Sequence, residues 1–201
     1  MSVLALITAM LPHWPDSERQ RLAAQFAQAE RQHWAKGDCL FMEQRGFGHL
    51  VLIETGLVRS FYLDHDTEIN LRFLCDGSLA VPFAALAQAW CSATCSGLIA
   101  GESVQCVTAV TGYRLPLHTL LDRAQFADWE RLRTELAARH YLSMEQRLRM
   151  IQHQRARDRY RKFMQWMPEP IVLQMPNLQV ASYLGLSAEA LSRVKQQARL
   201  S

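Results

Sequence analysis

The apolar positions change period several times along the chain. In residues 16–34, DSERQRLAAQFAQAERQHW, Leu22, Phe26 and Ala29 fall on one face at three- and four-residue steps. That spacing predicts a single amphipathic helix, capped by Asp16 or Ser17. The preceding MSVLALITAM is apolar without a basic leader, and reads as a helix or packed arm rather than a signal peptide. From Lys36 the period shortens. KGDCLF, HLVLIETGLVRSFYL, EINLRFLCDGSL and SVQCVTAVTGYRLPL are short runs rich in aliphatic and aromatic residues. Turn signals divide them at Gly37-Asp38, Gly46, Gly48, Thr55-Gly56, Asp64-His65-Asp66 and Asp76-Gly77. Such strands, at roughly ten-residue spacing, predict a β sandwich or barrel. Residues 81–101 are small, apolar and free of charge, with a short helix expected over 83–90.

A helical period returns between Leu120 and Gln154, where Trp129, Leu132, Leu136, Met144, Leu148 and Ile151 recur without an interrupting Gly or Pro. The length predicts a coiled-coil-like seam to a second copy. The alternative is a helix packed on its own β unit. A further helix starts at Asp158, and Pro168, Pro170 and Pro176 then break the chain.

In the last segment, NLQVASYLGLSAEALSRVKQQ, the pattern becomes specific. Two helices crossing steeply through a tight turn need a small residue at the crossing, supplied by Ala181. They need positive φ in the turn, supplied by Gly185. Leu184, Leu186, Leu191 and Val194 fill the wedge, Val180 holds a further position of the motif, and Ser187 can cap the second helix. This leaves Glu189, Ser192, Arg193, Gln196 and Gln197 exposed, all types that bond base edges or phosphates. The reading is a helix-turn-helix.

With those residues in place, the chain resembles the Crp/Fnr family of bacterial transcription regulators over nearly its whole length. KGDCLFMEQRG and VLIETGLVRSFYL resemble the family's opening β-roll strands, and RYRKFM followed by MPNLQVASYLGLSAEALSRVK resembles its DNA-binding signature. The resemblance implies an α+β protein with three parts: an N-terminal double-stranded β-helix (a jelly-roll-like β-roll) acting as sensor over 1–120, a dimerisation helix over 121–154, and a helix-turn-helix domain over 155–201 lacking a C-terminal wing. It puts the family's base readers on Glu189 and Arg193, and a third reader on Ala188, which cannot bond a base. Ser187, Ser192, Lys195 and Gln196 are the further expected DNA contacts. Double-stranded DNA, a second copy through 125–154 and RNA polymerase are the implied partners.

Charge agrees with this. Residues 155–201 carry eight Lys/Arg against three acids, a net +5, while the remainder has 14 against 16, a net −2. A basic end on a slightly acidic body suits a polyanion. Arg155, Arg157 and Arg161 would add phosphate attraction. The five Cys imply no disulfide framework. No stretch reaches the ~18 apolar residues of a membrane span, so a cytoplasmic location is expected.

The cyclic-nucleotide-binding members of the family hold a phosphate with an Arg and a carboxylate-bearing turn. No Arg or Lys lies between Arg72 and Arg114 here. Cyclic AMP is therefore not expected to bind, and no cofactor is required. An apolar effector pocket is the remaining possibility, lined by Leu79, Val81, Phe83, Leu86, Trp90, Cys91 and Cys95. Cys91 and Cys95 read as small buried thiols rather than cluster ligands, and no metal site is expected. Two other classes compete. One is a cupin-like β-barrel metal enzyme, whose best ligand set, His49, Glu54 and His65, lacks the required spacing. The other is a sensor module whose helix-turn-helix contacts protein. No nucleophile–base pair is visible, so the chain is not read as an enzyme.

Overall fold

The computed structural model describes residues 1–42, 48–81, 101–116 and 126–199. The N-terminal apolar run is a helix, α1 (Val3–Met10), capped by Ser2, whose Oγ accepts from the Ala5 amide at 3.2 Å. Leu6 and Ile7 are fully buried. The helix expected over 16–34 is shorter than its pattern. α2 (Asp16–Gln25) runs into a 3₁₀ turn (Phe26–Gln28), and Glu30–Trp34 forms strand β1. β1 pairs antiparallel with β8 (Val110–Pro116), from Glu30↔Arg114 to Trp34↔Val110. A sheet edge offering a ladder of backbone bonds overrides the helical preference of a polar segment. Leu22 and Phe26 are buried as the helical face requires.

The other strands are β2 (Cys39–Phe41), β3 (His49–Thr55), β4 (Val58–Asp64), β5 (Thr67–Leu74), β6 (Leu79–Ala80) and β7 (Ser103–Cys106). They form two four-stranded antiparallel sheets, β1-β8-β3-β6 and β2-β7-β4-β5. β3 explains its own continuous apolar run. Val51 and Ile53 face the interior between the sheets with Leu40, Val58 and Val104. Leu50 and Leu52 face outward, under α1, α2 and the long helix. A strand buried on both faces has no polar alternation to show.

That long helix, α3 (Phe126–Ile151), confirms the second helical period. Its first turns are spent within the chain: Trp129 and Leu132 pack with Leu6, Leu11 and Phe26, with the Phe26 and Trp129 rings 6.2 Å apart. Those two residues are not free for a seam with another copy.

Four helices follow: α4 (Ala156–Trp166), α5 (Glu169–Gln174), α6 (Asn177–Leu184) and α7 (Ala188–Arg199). The prolines start helices rather than merely breaking the chain. Pro168 and Pro176 are the capping residues before α5 and α6, and Pro170 lies in the first turn of α5. The helices do not stand apart from the sheets. Leu57, Phe73 and Val107 of the two-sheet body share one core with Met150, Phe163 and Tyr183. Phe73 lies 4.8 Å from the Tyr183 ring and meets Phe163 edge-on at 6.5 Å. Truncating such a ring typically costs ~3–5 kcal/mol, so this cluster ties the C-terminal helices to the strands.

Candidate nucleic-acid interface

The α6–α7 pair is set by its turn. Gly185 adopts φ 62° and ψ 42°, the left-handed region. A Cβ there would meet only the end of Arg159, at 3.5 Å, so the backbone conformation rather than space selects glycine. The Leu186 amide closes the turn on the Ala181 carbonyl at 2.9 Å. The spare carbonyls at the end of α6 are claimed by cations from two other helices. Arg159 Nη1 donates to Leu184 and Gly185 at 3.1 Å each, and Arg147 Nε donates to Tyr183 at 3.0 Å. This placement also suits the negative end of the helix dipole.

The wedge residues behave as their spacing requires. Val180, Ala181, Leu184, Leu191 and Val194 are buried and Leu186 is half-buried. Ser187 Oγ accepts from the Ala190 amide at 3.1 Å, capping α7. Glu189, Ser192, Arg193 and Gln196 lie together on the exposed face of α7. The Glu189 carboxyl is held below the usual range, first by its own backbone N–H, then by the Ser187 hydroxyl, with Arg193 contributing. It is therefore an ionised acceptor one helical turn from the Arg193 guanidinium.

Two expected contacts stand differently. Lys195 is half-buried on the flank of α7, where Nζ donates to Asn177 Oδ1 and lies 5.6 Å from the centre of the Tyr160 ring. At two residues from Arg193 it is rotated by roughly 200° away from that face. The Ser187 oxygen is engaged in the cap. Arg155, Arg157 and Arg161 are exposed, and Arg161 pairs with Asp158 at 2.9 Å.

The sequence reading missed a polar seam joining α6 to the strands. Arg59 is buried on β4, donating to Gln179 Oε1 at 2.8 Å and to Gln105 Oε1 at 2.7 Å, and pairing with Glu68 at 2.6 Å. Asn70 Nδ2 donates to the same Gln179 oxygen at 2.8 Å. The Ser182 hydroxyl accepts from the Asn70 amide at 3.1 Å and donates to the Glu68 carbonyl at 3.0 Å. Deeper in the two-sheet body, Arg72 pairs with Glu102, which also accepts from Ser60. The signal was present: Arg59, Asn70 and Arg72 interrupt otherwise apolar strand runs, and a buried charge needs a partner.

Of the expected effector pocket, Leu79 and Val81 are buried in the core beneath α1. Phe83, Leu86, Trp90, Cys91 and Cys95 lie outside the described residues. Burial pushes the Cys106 thiol up to about 12, so it is inert at neutral pH. The alternative ligand set is scattered. His49 opens β3 with its ring 4.9 Å from Phe41. Glu54, near the other end of β3, binds Arg31 and the terminal ammonium. His65 sits in the β4–β5 turn at φ 53°. Among the described residues no group of three His, Cys, Asp or Glu side chains could hold a metal ion. None of the described helices is long and apolar enough to cross a membrane.

No protein-family sequence model matches the chain, and no curated protein sequence matches it. Its architecture is nonetheless shared with solved structures. A protein of Eubacterium rectale described as a transcriptional regulator of the Crp/Fnr family is 15% identical, with a TM-score of 0.68 over 95% of this chain and 86% of that one. FixK2 from Bradyrhizobium japonicum is 18% identical, with a TM-score of 0.68 over 86% and 85%. CLP, the c-di-GMP-responsive global regulator of Xanthomonas campestris, is 15% identical, with a TM-score of 0.62 over 92% of both chains. At these identities the likeness is one of fold: the chain shares the architecture of the Crp/Fnr transcription regulators.

Proposed function

We propose that this protein is a cytoplasmic, dimeric, sequence-specific DNA-binding transcription regulator of the Crp/Fnr type. In this reading the two sheets are a β-roll sensor, α3 is the dimerisation helix, and α6–α7 is a helix-turn-helix with α7 as recognition helix. One observation carries it: the left-handed Gly185 turn and buried wedge leave Glu189 and Arg193 side by side on the open face of a basic terminal segment. Arg suits guanine and Glu suits the cytosine amino group. Ser192 and Gln196 flank them, and RNA polymerase is a further partner.

Dimerisation is supported by the second half of α3. Tyr141 is 67% exposed and Leu148 is 50% exposed, although both are large and apolar. With Met144 and Ile151 they repeat at three- and four-residue steps, the period of a coiled-coil seam. A dimer matters because non-specific binding at physiological salt is only ~10⁻⁴ to 10⁻⁶ M, and a second module adds the contacts of a second half-site. Regulation by cyclic nucleotides is not part of the proposal. Arg72 is already committed to Glu102, and residues 73–113 contain no Lys or Arg.

The test is selection of bound duplexes from a random pool by the purified protein, followed by a salt titration on the winning sequence. A two-fold symmetric site with half-sites ~34 Å apart is expected, with affinity falling steeply as salt rises. Enrichment of an asymmetric half-site alone would remove the dimer from the account.

A further inference from the structure

We infer that the groove between α4, α5 and α7 docks an acidic amphipathic helix of a partner protein. The groove has a volume of about 480 Å³. α4 lines it with Arg157, Arg161 and Met164, at the steps of one helix face. α5 contributes Val172 and Leu173, and α7 contributes Val194. Apolar residues form the floor, and two arginines stand at its edge.

Two large apolar side chains of the groove are left open to water. Leu173 is 72% exposed and Met164 is 45% exposed. The short α5 explains Leu173. Ile171 and Met175 turn inward to the core shared with Phe163 and Tyr183. Leu173 lies two residues from each, so it faces the opposite way. The fold makes no use of its side chain. A concave floor beside a protruding leucine is the surface that an amphipathic helix covers with apolar residues at three- and four-residue steps.

The rim sets the sign of the partner. Arg157 and Arg161 are exposed, and among the described residues no Asp or Glu lines the groove. Arg161 pairs with Asp158 on its own helix at 2.9 Å, with its side chain 60% open. An exposed pair of this kind contributes little, so it can be exchanged for a partner's carboxylate. The surrounding segment, residues 155–201, carries a net +5. A nucleic-acid backbone would meet the charge but leave the apolar floor unfilled, and a concave floor suits protruding side chains better than a flat bilayer. The groove also points away from Arg193. Val194 and Lys195 lie roughly 100° and 200° around α7 from it, so a docked helix leaves Glu189 and Arg193 uncovered. Docking does not depend on DNA reading.

The experiment uses the full chain without DNA and a set of fluorescein-labelled helical peptides. The first carries Leu at alternating three- and four-residue steps and Glu elsewhere. The second has Ser in place of Leu, and the third has Lys in place of Glu. Fluorescence anisotropy should show saturable one-to-one binding of the first peptide alone. Leu173→Ser should weaken it by at least about tenfold while leaving the thermal midpoint unchanged. Arg157→Glu with Arg161→Glu should reject the Glu peptide and accept the Lys peptide. Should that charge-reversed chain fail to fold, Leu173→Ser decides. Silence of the Leu–Glu peptide, equal binding of the Ser peptide, or unchanged binding by Leu173→Ser would overturn the site. Self-association that Leu173→Ser abolishes would give the groove to a second copy instead. Leu173-dependent binding to phosphatidylglycerol vesicles in place of the peptide would give it to a membrane.

Discussion

Arg59 on β4 and Gln179 on α6 lie 120 residues apart in sequence and meet at 2.8 Å. Gln179 also accepts from Asn70, so one amide oxygen on the first helix of the α6–α7 pair is held by two strand residues. Gln179→Ala leaves the buried Arg59 charge with one partner fewer. Hydrogen bonds to charged groups contribute ~1.5–3 kcal/mol each, and a destabilisation of that size is expected in urea unfolding. Hydrogen exchange should report it as earlier opening of α6 than of β3.

Gly185 is the second point of leverage. A side chain at positive φ costs ~1–2 kcal/mol, and no steric gain offsets it, since only the Arg159 tip lies near. Gly185→Ala should lower stability by about that amount. Gly185→Asn, which tolerates the left-handed region better, should cost less. Thermal unfolding of the two variants measures the difference, and equal losses would mean that the turn does not depend on that conformation.

His140 makes stability depend on pH. Its folded-state value, about 4, lies below the ~6.5 of an unfolded chain. Between those values the unfolded state binds more protons, so the stabilisation is complete above about pH 6.5 and is lost as pH falls toward 4. With allowance for solvent access, the loss is on the order of 1–2 kcal/mol. The groups around His140 include Arg72 and Arg139, which line the same cleft between β5 and α3. Denaturant midpoints at pH 7, 5.5 and 4.5 should fall in order, and His140→Gln should flatten the series.

The exposed apolar stripe on α3 makes the proposed dimer testable. Tyr141→Glu with Leu148→Glu should produce a folded monomer in sedimentation, because both positions are open in the single chain. Its DNA affinity should drop toward the non-specific range. A double variant that stays dimeric would move the interface elsewhere.

What the sequence revealed, and what it concealed, follows from the range of the interactions. The α6–α7 turn was legible because Gly185, Ala181 and Ser187 act locally, within one or two helical turns of their partners. The strand character of Glu30–Trp34 was not, because it comes from pairing with Val110–Arg114, some eighty residues on. The same holds for the exposed apolar stripe on α3. Periodicity grouped Trp129 with Leu148, and only the fold separates a residue buried under α1 from one left open. Lys195 illustrates the finer limit: a basic residue two positions from Arg193 looks equivalent in sequence, yet turns toward Tyr160 and Asn177.

On the proposed function, α7 reads bases through Arg193. The most direct measurement compares wild type and Arg193→Ala on the duplex that wild type selects, at fixed salt. Arg193 is exposed, so folding should be untouched. A loss of ~1–3 kcal/mol on that duplex, with little change on scrambled DNA, is the predicted result. Equal affinity of the two proteins for the selected duplex would contradict it.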